Sequence, residues 1–156
     1  MAAINADPEV VRYLSPPAPR PPLPGEREFI RRMTAHWELH GFGFWAVESR
    51  EPASAGRLLG FAGIGHPTFM PELASQVEIG WRFAREAWGR GLATEAALAA
   101  REDAFSTHNL HALIAIIHPE NVRSRRVAAK LEMAVEEHIY YPRVGREVEI
   151  WRIRRP

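Results

Sequence analysis

Gly89 and Gly91 stand two residues apart, just ahead of an alanine-rich stretch, and their chemistry is that of the backbone. Glycine lets the chain turn through conformations closed to other residues, and the first amides of a following helix have no partner of their own. Such amides, reinforced by the positive end of the helix dipole, bind anions without a dedicated side chain. The spacing alone selects no ligand, because glycine-rich helix entries are more often plain turns. A P-loop is excluded by the absence of a following Lys-Ser or Lys-Thr, and no third glycine stands at dinucleotide-fold spacing. Cysteine is absent, which removes a thiolate nucleophile, a thiolate metal site and a disulfide framework together. Of the 7 histidines, His108 and His111 lie three apart. No further ligands at site spacing accompany them, so no metal is expected.

The elements that must position this turn follow from periodicity. Asp7-Pro8-Glu9 is a helix start: a capping side chain, a proline suited to the first turn, and an acid at the positive end. That helix is expected to run to about Leu14. Residues 15–24 (SPPAPRPPLP) have few backbone donors and read as an extended loop. From Glu26 to His40, Phe29, Ile30, Met33 and Trp37 fall at helical spacing, and Gly41 ends the run. Phe44 to Glu48 and Arg57 to Ile64 predict a hairpin, and Val77 to Phe83 a third strand in which Gly80 permits a bulge or a close approach. A helix from Gly91 to about Thr107 carries a small-residue face of Ala93, Ala97, Ala100 and Ala104. The apolar run Leu110 to Ile117 predicts a central strand covered on both faces. A helix over Asn121 to Leu131 follows, then strands near Val135 to Tyr141 and Glu147 to Ile153 around a Pro142-to-Gly145 turn.

At 156 residues and 46% hydrophobic content, the chain is expected to be a single domain over residues 1–156. Its 20 basic and 19 acidic residues leave a formal charge of +1. So weak a net field gives no reason to expect a nucleic acid or membrane surface as partner. No leader-like start and no spanning apolar run is present, so a cytoplasmic protein, monomer or homodimer, is expected.

Four blocks carry a family likeness. WGRGLATEA (Trp88 to Ala96) resembles the pyrophosphate motif of the GNAT acetyltransferase superfamily, in the form used by its RimJ/RimL-like branch. QVEIGWRF (Gln76 to Phe83) is similar to that branch's cofactor strand, and HPENVRSRRVAAKLEM (His118 to Met133) to its next strand-to-helix junction. AHWELHGFGFWAVE (Ala35 to Glu48) resembles its second helix and strand. The order of these blocks matches over nearly the whole chain. The resemblance implies an α/β (α+β) fold with a mixed, splayed sheet flanked by helices, and transfer of acetyl from acetyl-CoA, as co-substrate, to a primary amine.

Carried over by position, the resemblance implies that backbone groups of Trp81, Arg82 and Phe83 pair with the pantetheine arm. The amides of Gly89, Arg90, Gly91, Leu92, Ala93 and Thr94 would hold the pyrophosphate, with Arg90 adding charge, and Asn121 would bond the cofactor while also suiting a helix cap. Arg123, Arg125 and Arg126 would lie near the ribose phosphate. Glu78 is the expected base, with pairing to Arg82 as the competing reading, because Ile116 occupies the other position where relatives carry one. The family's usual tyrosine acid is replaced by Ala128. Ser124 stands where the RimJ/RimL-like branch carries a serine near the cofactor sulfur, so the resemblance implies that it contacts the departing thiolate, unless its own helix backbone satisfies it. A single exposed carboxylate suits an acceptor of low amine pKa, namely a protein or peptide N-terminus or a small-molecule amine. Two further departures stand out. Glu132 replaces the glycine of a left-handed helix cap, and almost nothing precedes the helix that Asp7 starts. The family's first edge strand is thus expected to be missing, through a late start site or a shortened member. A non-catalytic acyl-CoA-binding module is the alternative function.

Overall fold

Alternating short apolar strands and small-faced helices assemble as the periodicity requires. A computed structural model describes residues 1–14, 25–142 and 145–155. The expected proline-rich loop at 15–24 and part of the last turn, 143–144, lie outside the described residues. The helices are α1 (Ala2–Ala6), α2 (Pro8–Val11), α3 (Glu26–His40), α4 (Leu92–Ser106) and α5 (Val122–Lys130). The strands are β1 (Phe44–Glu48), β2 (Leu58–Gly65), β3 (Glu78–Phe83), β4 (Ala112–Ile117), β5 (Ala134–Tyr141) and β6 (Arg146–Arg154). They form one sheet in the order β1-β2-β3-β4-β6-β5. Every pairing is antiparallel except that of β3 with β4.

Strand alternation sends side chains to two different layers. On one face Ile79, Leu113, Ala115, Ile117 and Trp151 meet Ala97, Ala100 and Ala104 of α4 together with Ala128 of α5. Methyl-sized side chains let α4 lie close on the sheet, which is why its stripe is alanine and not leucine. On the other face Ile114, Val148 and Ile150 pack with Met70 and Leu73 from the β2–β3 connection. At the β1–β3 end of that face the rings of Phe44 and Phe29 flank Phe61, with centroids 5.3 and 5.4 Å from it.

Local signals explain the boundaries. Asp7 caps α2 by accepting from the Glu9 amide at 2.9 Å, and Gly41 ends α3 at φ 73° with its amide on the Trp37 carbonyl. Helix α2 stops at Val11, short of the expected Leu14. Glu132 does sit in the left-handed region, at φ 64°. The helix ends as a glycine cap would end it: the Met133 amide reaches back to the Ala128 carbonyl, and Arg101 bonds both the Leu131 carbonyl and the Glu132 carboxylate at 3.0 Å. These contacts offset the ~1 kcal/mol that a side chain costs in that conformation. Ahead of α2 the chain is helical, no strand precedes β1 among the described residues, and β1 is an edge of the sheet.

Gly80 departs from one expectation. The β2–β3 register runs without interruption from Gly60↔Phe83 to Gly65↔Glu78, so there is no bulge. What Gly80 supplies is close approach, since a Cβ there would stand 3.1 Å from Cε1 of Phe44.

Candidate active site

The parallel ladder between β3 and β4 contains one register pair, Glu78↔Ile114. Its bond runs from the Ile114 amide to the Val77 carbonyl at 2.9 Å. Beyond that point the two strands diverge, and β4 continues to pair along its length with β6. Room beside β3 therefore comes from the splay that the resemblance implies, without a bulge at Gly80. Backbone direction alternates along a strand: the Val77 carbonyl points to β4, whereas the Ala84 amide points to β2 and bonds the Leu59 carbonyl. Trp81 and Phe83 consequently present their backbone groups to the open side. Those of Arg82 face β2, where its carbonyl lies 2.2 Å from the place a Cβ on Gly60 would occupy. Of the three residues expected to offer backbone partners, the geometry thus puts Trp81 and Phe83 at the slot and turns Arg82 away from it. The Phe83 carbonyl already accepts from Trp88 Nε1 at 2.9 Å.

At the end of this slot lies the glycine turn. Gly89 and Gly91 take φ of 75° and 82°, a region costly for residues with a Cβ, and Gly91 is the N-cap of α4. No side-chain cap bond forms there, which leaves the first amides of the helix, including those of Leu92, Ala93 and Thr94, without an intrahelical acceptor. Arg90 is exposed and paired with Glu51 of the β1–β2 connection, so its charge is partly answered within the protein.

The third wall is the start of α5. Asn121 caps it, its Oδ1 accepting from the Ser124 amide at 3.2 Å, and the side-chain NH2 is left for another acceptor. Ser124 is half-buried, and its hydroxyl bonds none of the described residues, so the helix backbone does not satisfy it. Arg123 lies over the Trp88 ring at 4.6 Å, joining α5 to the glycine turn. A cavity of about 330 Å³ opens beside it, lined by Tyr13, Glu120, Asn121, Val122, Arg123 and Arg126. Arg125 turns elsewhere, to the buried carboxylate of Glu149 at 3.1 Å.

Glu78, Gly80 and Arg82 share the sheet face opposite α4. Here the expectation of an exposed carboxylate is corrected: Glu78 is half-buried. Burial pushes its pKa up to about 8, with the charge of Arg82 opposing the rise. The competing reading of a Glu78–Arg82 ion pair fails on geometry. The Arg82 guanidinium donates to Asn5 Oδ1 at 2.8 Å and lies over Phe61 at 5.3 Å, while Glu78 has no hydrogen bond or salt bridge among the described residues. Burial also lowers the Arg82 pKa to about 10. The Glu78 Oε1 atom stands 4.0 Å from the point a Cβ on Gly80 would occupy, so the glycine keeps the space beside the carboxylate free. Ile116, the alternative position, is an apolar neighbour of the second core cluster.

Tyr13 and Asn5 carry no role in the sequence, and Trp88 none beyond its place in the motif. Trp88 stood inside the motif and was a readable signal. Asn5 and Tyr13 reach the site only through tertiary contacts.

A slot beside a splayed parallel strand pair, closed at one end by a glycine turn on a helix N-terminus, marks this as a mixed α/β fold whose sheet opens beside β3. Residues 1–134 match the family model described as an acetyltransferase (GNAT) domain, and the chain belongs to that family. Membership supports acetyl-CoA-dependent acetyl transfer. The chain is 32% identical over 127 residues to the uncharacterised protein YkkB of Bacillus subtilis, covering 81% of this chain and 69% of that one. It is similar to an acetyltransferase crystal structure from Agrobacterium tumefaciens, with TM-score 0.77 and 28% identity over 99% of this chain and 84% of that chain. The acetyltransferase yncA of Salmonella typhimurium, solved with acetyl-CoA, shares the fold at TM-score 0.66 and 17% identity, covering 83% and 73% of the two chains. Among the described residues, no helix is long and apolar enough to cross a membrane.

Proposed function

We propose that this chain, acting as one domain, moves the acetyl group of acetyl-CoA to a primary amine by direct attack in a ternary complex, in the manner of the RimJ/RimL-like branch. The observation that carries this reading is the divergence of β3 from β4 directly beside the left-handed Gly89 and Gly91. That arrangement offers unpaired strand groups and helix-end amides along one line, a fit for a pantetheine arm ending in a pyrophosphate. Acetyl-CoA supplies an activated acetyl thioester. The backbone of Trp81 and Phe83 orients its arm, the amides from Gly89 to Thr94 hold its phosphates, and Asn121 adds a side-chain donor.

Chemistry then divides between two residues on different walls. Glu78, half-buried and without a hydrogen-bonding partner among the described residues, accepts the amine proton. Ser124, whose hydroxyl bonds none of the described residues, donates a hydrogen bond where negative charge develops on sulfur. A thiol of pKa ~8.5 leaves without full protonation, which is why one hydroxyl suffices where the family's tyrosine is missing. The acceptor class is a peptide N-terminus or a small-molecule amine.

Calorimetry with acetyl-CoA, CoA and ATP, followed by thiol release with a panel of amines and N-terminal peptides, tests the reading. Acetyl-CoA and CoA should bind and ATP should not, with turnover on at least one acceptor. Preference for ATP would sink it. Tight acetyl-CoA binding without turnover on any acceptor would replace it with a non-catalytic acyl-CoA-binding module.

A further inference from the structure

Outside the slot, three imidazoles converge. His36 and His40 lie one turn apart on α3, and His66 follows β2. Each offers one nitrogen, and these nitrogens lie within 4.8 Å of one another. The ring centroids are 4.4 Å apart for His36 and His40, 4.6 Å for His40 and His66, and 5.8 Å for His36 and His66. We propose that His36, His40 and His66 form a binding site for a divalent late-transition-metal ion of the zinc type, tying α3 to the end of β2.

The chemistry of the donors fits. Two histidines at i and i+4 on one helix face are a recurrent zinc-binding pair, and a third imidazole with solvent completes four-coordination. The rings are also oriented from behind. His36 Nδ1 lies 2.9 Å from the Phe42 carbonyl, and His66 Nδ1 lies 2.9 Å from the carbonyl of Gln76. A carbonyl only accepts, so each Nδ1 carries the proton and each Nε2 presents a lone pair. That is the outer-shell pattern that fixes metal-ligating histidines. Burial lowers the His36 pKa, and the neighbouring imidazoles add to the effect.

Two adjustments complete the site. His36 Nε2 now accepts the His66 amide at 3.1 Å, and the ion takes that lone pair in its place. A tetrahedral ion with bonds of 2.0–2.1 Å needs its nitrogens about 3.4 Å apart, closer than the outer limit of the cluster. His40 is exposed and has no hydrogen bond among the described residues, so side-chain rotation brings its nitrogen in and leaves an entry path from solvent. His108 and His111, the pair whose spacing stands out in the sequence, are not members of this cluster. His108 pairs with Asp103 at 3.2 Å.

Titration of untagged full-length protein with ZnCl2 by calorimetry tests the site, with folding of each variant checked by circular dichroism. The wild type should bind one Zn2+ per chain, and Zn2+ should raise its melting temperature. His40→Ala removes an exposed ligand with no structural bond and should weaken binding at least tenfold, whereas His108→Ala should leave it unchanged. Substituted Co2+ should show the intense visible absorption of a tetrahedral site in the wild type and lose it in His40→Ala. No binding by the wild type, equal affinity in His40→Ala, or an octahedral Co2+ spectrum each overturns the proposal. None of these readouts depends on acetyl transfer.

Discussion

Glu78→Gln keeps the size of the side chain and removes its capacity to take a proton, so it separates the base from its surroundings. In the wild type the carboxyl is held up to about 8 by burial. At pH 7 roughly a tenth of the molecules carry it ionised, and at pH 9 roughly nine-tenths do. With an acceptor whose own amine titrates below pH 6, kcat/KM should therefore climb about tenfold from pH 7 to 9 and level off. In Glu78→Gln the rise should vanish and the rate should fall by 10²–10⁴, the usual worth of a general base. Stability carries the same signature with a definite sign. The unfolded carboxyl titrates near 4.5, so between that pH and about 8 the folded state holds a proton that the unfolded state has lost. The Glu78 contribution is fully present below pH 4.5 and is lost as pH rises through 8, at about 1.4 kcal/mol per unit and up to about 5 kcal/mol in all. Urea melts at pH 5, 7 and 9 should show wild type losing stability relative to Glu78→Gln as pH rises. A flat rate profile in the wild type, together with full activity in Glu78→Gln, refutes the base assignment. Parallel stability curves refute the buried-carboxyl account of its pKa.

Ser124→Ala should lower kcat about tenfold without changing acetyl-CoA affinity, since the hydroxyl acts only as charge develops on sulfur; single-turnover kinetics read this directly. Asn121→Ala removes the cap of α5 and should cost about 1 kcal/mol in chemical denaturation, with a weaker calorimetric Kd for acetyl-CoA alongside. Gly60→Ala should destabilise by more than about 3 kcal/mol or prevent folding, because the added Cβ meets the Arg82 carbonyl at 2.2 Å and the Phe83 Cα at 2.8 Å, backbone atoms with nowhere to move. Soluble expression and thermal melting decide that case.

Much of this architecture is written in local pattern. The alanine stripe, the apolar run of β4 and the strand alternation of β3 set the elements, with boundaries moving by a few residues, because such signals act over one or two turns or a few strand residues. The glycine turn was legible for a related reason: only glycine takes φ near 80° at low cost, so Gly89 and Gly91 announce the conformation before any fold is known. The Asn121 cap was equally local. Other features depend on distance across the chain. The absence of a bulge at Gly80 follows from the continuous pairing of β2 with β3, and no window of sequence encodes that. The desolvation of Glu78 comes from its burial in the folded chain, so an acid read as exposed is a half-buried one with a raised pKa. The turning of Arg82 toward Asn5, and the meeting of His66 with His36 and His40, likewise exist only once α1, α3 and β2 are brought onto one face. Residue type and spacing therefore determined the elements and the left-handed glycine turn, since those rest on backbone sterics. Tertiary structure decided the electrostatics of the sheet face that carries Glu78, since burial and charge separation are properties of packed neighbours.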